Sequence, residues 1–206
     1  EHLADAVYFI SERRGIIDAD LLDAAPHLQL ILRPGSQTHD IDLAAAKERN
    51  IAVTGWSQAS VIRVAEHTIM QMLILLKRVI HARQIAMSAD EWGENKRTDE
   101  NTFAYNWSGI GNIRGLRGKT VGILGFGEIG TEIARRLNGW DVAIIYNKRQ
   151  QLPDFVEKQL QISYVDAETI FRQSDVVVNL LPYSPQTDQY INADLLAMMK
   201  YHSILV

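Results

Sequence analysis

The chain has 206 residues, 47% hydrophobic and 22% charged, which is the make-up of a globular protein with room for one large or two modest domains. Its 21 basic and 25 acidic residues leave a net charge of −4 and are scattered rather than gathered in a stripe, so nucleic acid is excluded as the expected partner. There is no cysteine, which excludes disulfide, zinc-thiolate and cysteine-nucleophile chemistry.

The opening EHLADAVYFI lacks a basic start and a cleavage site, and Ala6 to Ile10 predicts a strand. Ile17 to Ala25 reads as a short helix ended by Pro26, and Leu28 to Leu32 as a second strand running into the loop Arg33-Pro34-Gly35-Ser36-Gln37-Thr38. Asp42 to Arg49 is helical with a cap at Asp40 or Asp42, Asn50 ends it, and Ile51 to Val53 is a third strand. This βαβαβ order predicts a small α/β domain. Pro34 and Gly35 then fall just past a strand's carboxyl end, where open α/β sheets bind ligands, although Pro-Gly is equally a plain turn signal.

Ser60 to about Arg83 (SVIRVAEHTIMQMLILLKRVIHAR) predicts one long helix, apolar almost all round its middle. Such a helix should be buried on every side, between two domains or at a subunit interface. Its longest apolar run, Met72 to Leu76, is too short to cross a bilayer, so no membrane partner and a cytoplasmic location are expected. His67 and His81 lie on it without metal-ligand spacing, and no metal site is expected. Asp90 to Gly118 carries Trp92, Phe103, Tyr105 and Trp107 and reads as an interdomain connection with an ordered excursion, which could serve as an arm on a partner subunit. The division this suggests is 1–87, 88–118 and 119–206.

The strongest signal runs from Lys119 to Arg149. A buried parallel strand, Val121 to Leu124, leads into Gly125-Phe126-Gly127-Glu128-Ile129-Gly130, a G-x-G-x-x-G. A helix follows, closed by Gly139, and Val142 to Tyr146 is the next strand. Strand, glycine turn, helix and strand form the context a dinucleotide fingerprint requires. Gly125 should permit the tight turn, Gly127 the approach of a pyrophosphate, and Gly130 close packing of helix on strand. The N–H groups of Glu128 and Ile129 then point at the anion. An NAD site normally places Asp or Glu at the end of the second strand to hold the ribose 2′-OH. Asn147-Lys148-Arg149 stand there instead, and two cations without a carboxylate suit a 2′-phosphate, so NADP(H) is favoured, with NAD possible.

Val156 to Leu160 predicts a helix, Ile162 to Val165 a strand, Ala167 to Arg172 a helix, and Asp175 to Leu181 a buried strand. Pro182-Tyr183-Ser184-Pro185 turns at that strand's carboxyl end, where a second nucleotide wall belongs. Asn192 caps a helix to Lys200, and Ser203 to Val206 begins a strand. A sequence that stops inside an apolar strand is expected to be a fragment.

LQLILRPGSQTHDIDLAAAKERNIAV, SVIRVAEH, LRGKTVGILGFGEIG, SDVVVNLLPYSPQT and MMKYHSILV, taken in this order, resemble the D-specific 2-hydroxyacid dehydrogenases over nearly the whole chain. YNKRQQLPDFVEKQLQI and VAEHTIMQMLILL are similar to the formate dehydrogenase branch. The resemblance implies a Rossmann-type doubly wound sheet with a smaller flavodoxin-like α/β substrate domain. It implies hydride transfer between the nicotinamide and C2 of a small 2-oxo or 2-hydroxy acid, such as glyoxylate or hydroxypyruvate, and a homodimer. It gives Gly35, Ser36 and Gln37 to the loop whose amides hold the substrate carboxylate, with Gln37 where the family usually has glycine. Ser60 falls where formate dehydrogenases carry a formate-binding asparagine, which argues against formate. Val64 would lie beside the nicotinamide, and Gly125, Gly127, Glu128, Ile129 and Gly130 would form the pyrophosphate turn. Lys148 replaces the ribose-binding aspartate, and Leu181, Pro182, Tyr183, Ser184 and Thr187 would line the adenosine side. The family's catalytic arginine, acid and histidine are expected beyond residue 206. A formate dehydrogenase and a non-catalytic dinucleotide-sensing corepressor are the competing readings.

Overall fold

Each run of βα units curls into its own parallel sheet. The computed structural model describes residues 3–12, 15–88 and 109–206. In the first run, β1 (Tyr8–Ile10), β2 (Leu30–Pro34) and β3 (Ala52–Trp56) pair in the order β1-β2-β3. Helices α1 (Ala19–Asp23) and α2 (Leu43–Glu48) connect them, and each starts where an aspartate, Asp18 or Asp42, accepts a backbone N–H of the first turn. Asn50 stops α2 at a positive φ of 57°. Ile17, Leu22, Leu28, Ile31, Ile41 and Ala46 close a small core beneath this sheet.

The expected strand limits shift here. Ala6 and Val7 lie outside β1, while Arg33 and Pro34, expected in a loop, extend β2 opposite Gly55 and Trp56. Pairing with β1 ends at Leu32, so proline's missing N–H interrupts no bond of that ladder. Asp40 does not cap a helix; it pairs with the buried Arg33 at 2.8 Å.

The second sheet holds β4 (Thr120–Leu124), β5 (Ala143–Asn147), β6 (Ile162–Tyr164), β7 (Val176–Asn179) and β8 (Ile204–Leu205), all parallel, in the order β6-β5-β4-β7-β8. The order reverses between β4 and β7, and the crevice outside their carboxyl ends is where such sheets take nucleotides. On one face lie α3 (Ala59–Leu76) and α5 (Glu128–Leu137), with α4 (Val79–Met87) following α3; α6 (Asp154–Leu160) leads into β6. On the other lie α7 (Ala167–Gln173) and α8 (Ala193–Ala197). Gly122 in β4 admits α7 closely, since a Cβ there would meet Ser174 Oγ at 2.0 Å and Ile170 Cγ2 at 3.0 Å.

The predicted long helix is two. Arg78 takes a left-handed φ of 53° and separates α3 from α4. The carbonyl of Leu76 accepts from the N–H of Arg114 at 2.9 Å, so the segment that returns from the connection ends α3. Nor is α3 buried on every side. Ala65, Thr68, Ile69, Met72 and Leu76 form one buried stripe, while Val64, Met70 and Leu75 are exposed. By length and composition α3 as a whole suffices to cross a membrane, although its apolar run is short. A core helix meets the same description, and Ala65, Ile69, Met72 and Leu76 join the core of the second sheet. Residues 90–108 of the expected connection lie outside the described residues; Ile110 and Leu116 beyond them are buried.

Candidate dinucleotide and carboxylate site

The glycine turn follows β4 as the fingerprint requires, and its glycines differ in what they do. Gly125 has φ +86°, and a Cβ there would meet the backbone nitrogen of Leu181 at 2.7 Å. It therefore serves both the turn and the close passage of the segment leaving β7. At Gly127 a Cβ would meet nothing within 4 Å, so this side of the backbone faces open space, as a pyrophosphate needs. At Gly130 a Cβ would strike the Phe126 ring at 2.9 Å, so the missing side chain makes room for that ring. Phe126 turns inward and packs at a tilt of 52° on buried Tyr146, with ring centroids 4.8 Å apart. Helix α5 starts at Glu128 with Gly127 as cap residue and no side chain on its first N–H groups, which leaves them for an anion.

At the end of β5, the carbonyl of Asn147 accepts the N–H groups of Gly125 at 3.0 Å and Phe126 at 3.2 Å, and its side-chain amide donates to the Val165 carbonyl at 2.7 Å. Asn147 thus pins the turn and has a structural task. Lys148 is half-buried and Arg149 exposed, with no carboxylate between them and the strand. Tyr146 packs under this corner; burial pushes its phenol well above the ordinary range, and its hydroxyl donates to Glu157 at 2.8 Å. Across the crevice, Leu181 N–H donates to the Asn179 side chain. Thr187 ties the following turn through the Pro182 carbonyl at 2.6 Å and Ser184 N–H at 2.8 Å, and Tyr183 projects outward.

The loop after β2 meets this turn. Ser36 N–H and Ser36 Oγ both donate to Glu128 Oε2 at 3.0 Å, and Gln37 N–H donates to Oε1 at 3.3 Å. Gln37, buried, sends its amide to the Gly127 carbonyl at 3.3 Å and to Thr131 Oγ1. One turn along α5, buried Glu132 accepts from Ser57 Oγ at 2.7 Å, Arg135 at 2.7 Å and Arg136 at 2.5 Å. Burial acts to raise the Glu132 carboxyl, but the bonds from Ser57, Arg136 and Arg135 outweigh it and hold it below the ordinary value. Ser57, Thr131, Glu132 and Arg135 are site residues that the sequence reading did not single out. Thr131, Glu132 and Arg135 recur at helical spacing after the fingerprint, which is the signal that could have marked them. Ser60 is exposed in the first turn of α3 and Val64 exposed one turn on; the hydrogen bonds here come from Ser57.

A parallel sheet of this order with a glycine turn under a helix N-terminus defines a dinucleotide-binding protein of the doubly wound class. Residues 69–206 match the family described as D-isomer specific 2-hydroxyacid dehydrogenase, NAD binding domain, and the chain belongs to that family. It is 32% identical over 200 residues to a glyoxylate reductase of Thermococcus onnurineus, covering 97% of this chain and 56% of that protein. A Staphylococcus aureus protein named putative 2-hydroxyacid dehydrogenase is 28% identical over 207 residues, covering 98% of this chain and 60% of that protein. Among solved structures, a Granulicella m. formate dehydrogenase superposes with TM-score 0.61 at 28% identity, covering 98% of this chain and 51% of that one. An NAD-dependent formate dehydrogenase from Staphylococcus aureus, solved in complex with NAD, superposes with TM-score 0.57 at 30% identity over 99% of this chain and 57% of that one. The chain thus spans little more than half the length of these relatives.

Proposed function

We propose that this chain supplies the dinucleotide-binding part, and a share of the acid-binding part, of a reductase of small 2-oxo acids such as glyoxylate or hydroxypyruvate that uses NADP(H). The observation that carries this reading is the meeting of two anion-receiving surfaces at the start of α5: the open backbone of Gly127, and the N–H groups of Ser36 and Gln37 gathered on a carboxylate. Gly127 and the N–H groups of Glu128 and Ile129 receive the pyrophosphate, and the Glu128 side chain, turned toward Ser36, leaves the approach open. Lys148 and Arg149 take the ribose 2′-phosphate, which distinguishes NADP(H) from NAD(H). Leu181, Pro182, Tyr183, Ser184 and Thr187 border the adenosine, and Val64 faces the nicotinamide. Ser60 joins the loop of Gly35, Ser36 and Gln37 around the acid. When bound, the nicotinamide supplies or accepts the hydride. No residue of this chain is assigned as the acid/base.

The names of the glyoxylate reductase relatives support the substrate class. Formate dehydrogenase is the second reading, favoured by the two solved structures and opposed by the hydroxyl of Ser60 where an asparagine amide is expected. The protein acts in the cytoplasm as a homodimer whose interface includes the exposed face of α3.

Separate titrations with NADPH and NADH, followed by nicotinamide fluorescence, test the cofactor choice. Saturable binding with NADPH tighter is expected. Binding of NADH alone would overturn the 2′-phosphate assignment, and binding of neither would overturn the dinucleotide site.

A further inference from the structure

The carboxylate of Glu128 takes three hydrogen bonds from two consecutive residues of the loop after β2, through both of its oxygens. Gly35 makes room for it: its φ is +142°, and a Cβ there would meet Glu128 Oε1 at 2.7 Å. Arg135 Nη1 lies 3.2 Å from Ser36 Oγ, so that hydroxyl accepts from the guanidinium while it donates to the carboxylate. Two backbone N–H groups, a hydroxyl polarised by a cation, and a glycine without a Cβ form a receptor for a carboxylate group. A first-turn helix residue from the nucleotide side occupies it, across 92 residues of sequence.

We infer that Glu128 is an internal competitor for this loop: its side chain occupies the carboxylate-receiving donors, and a small carboxylic acid gains them only when Glu128 swings away. The inference rests on the reading above for the identity of the loop's ligand, and it adds the residue that sets the loop's apparent affinity. A receptor that is filled intramolecularly binds an outside carboxylate more weakly by the factor with which its own occupant is favoured. An anion bound at Gly127 places negative charge beside Glu128 and weakens its hold on the loop from the same end of α5.

The test is amide hydrogen exchange at Ser36 and Gln37 in the whole chain, for wild type, Glu128→Ala and Glu128→Gln, with sodium oxalate as the carboxylate probe and sodium chloride at equal ionic strength as the control. Wild type should protect these amides about tenfold or more over Glu128→Ala, the scale of one or two hydrogen bonds to a charged group. Glu128→Gln, which keeps the shape and loses the charge, should fall between. Oxalate should restore protection in Glu128→Ala at concentrations that leave wild type unchanged, and chloride should not. Equal exchange in wild type and Glu128→Ala would overturn the contact. Failure of oxalate to protect Glu128→Ala, or equal protection by chloride, would overturn the competition and leave Glu128 a structural tie. NADPH titrated into the same proteins reads the dinucleotide site independently: absence of binding in all of them removes that site while the exchange data still judge Glu128.

Discussion

At Gly127 an added methyl group meets open space, whereas at Gly125 it meets the backbone of Leu180 and Leu181 in a left-handed conformation. Gly127→Ala should therefore leave thermal stability within about 0.5 kcal/mol of wild type and weaken dinucleotide binding. Gly125→Ala should destabilise by about 1–3 kcal/mol as well as abolish binding. Calorimetry and nicotinamide fluorescence on the two variants separate these outcomes, and equal stability losses would refute the assignment of Gly127 to the ligand. At the end of β5, neutral replacements of both Lys148 and Arg149 should weaken NADPH by about 1.5–3 kcal/mol per charge-assisted contact and leave NADH nearly unchanged. An equal loss for both cofactors would sink the 2′-phosphate assignment. Glu132 sets a pH dependence. Its folded carboxyl lies below its ordinary 4.5, so the unfolded chain takes up the proton first as pH falls. Its contribution is complete at neutral pH, declines below about pH 4.5, and is gone below the folded value. The stability gap between wild type and Glu132→Gln should be flat near neutrality, at about 1–3 kcal/mol, and close in acid. A gap that widens toward low pH would contradict this.

Helix α3 shows how an element apolar all round is divided by its neighbours. Met72 is fully buried against the second sheet, while Met70, two residues earlier, is 44% exposed. Met72→Ala should lower stability by about 2–5 kcal/mol through lost burial and a cavity. Met70→Ala should change it by about 0.5 kcal/mol or less in the isolated chain, and chemical denaturation of the two variants gives the comparison. Comparable losses would mean that both faces are covered within one chain. The break after Leu76 has a cause of the same kind: the carbonyl that would continue the helix is bonded to Arg114, and Arg78 donates to the Gly111 carbonyl at 3.1 Å. Helical periodicity does not register such a stop, because Arg78 carries no glycine-like signature for its left-handed turn.

For the molecule as a whole, α5 is the link between the two sheets. Ile133, Ala134 and Leu137 bury its apolar side in the second sheet's core. Its polar side, at Glu128, Thr131, Glu132 and Arg135, ties Gln37 of the loop after β2 and Ser57 of the segment after β3 to that sheet, and Arg136 reaches Glu66 on α3 at 3.5 Å. The two sheets are therefore joined through the helix whose first turn carries the candidate pyrophosphate site. The exposed part of α3 beside this junction carries the apolar side chains Met70 and Leu75. If it is the dimer interface, Leu75→Asp should leave the fold intact and convert a dimer to a monomer by light scattering; a wild-type monomer would remove that interface.

The sequence alone determined what depends on neighbours in the chain: the glycine turn between β4 and α5, the asparagine cap at Asn192, a cap at Asp42 (offered beside Asp40), and the alternation of strand and helix. Spacing and local hydrogen-bonding capacity decide these within a few residues. Tertiary structure alone decided what depends on groups far apart. It turned Phe126 inward beneath Gly130, ended α3 with Arg114, buried only one of its faces, and set Glu128 against Ser36 and Gln37. A side chain's hydrogen-bond partner across 92 residues leaves no periodicity in the chain, because it is chosen by how two cores pack and not by the residues between them.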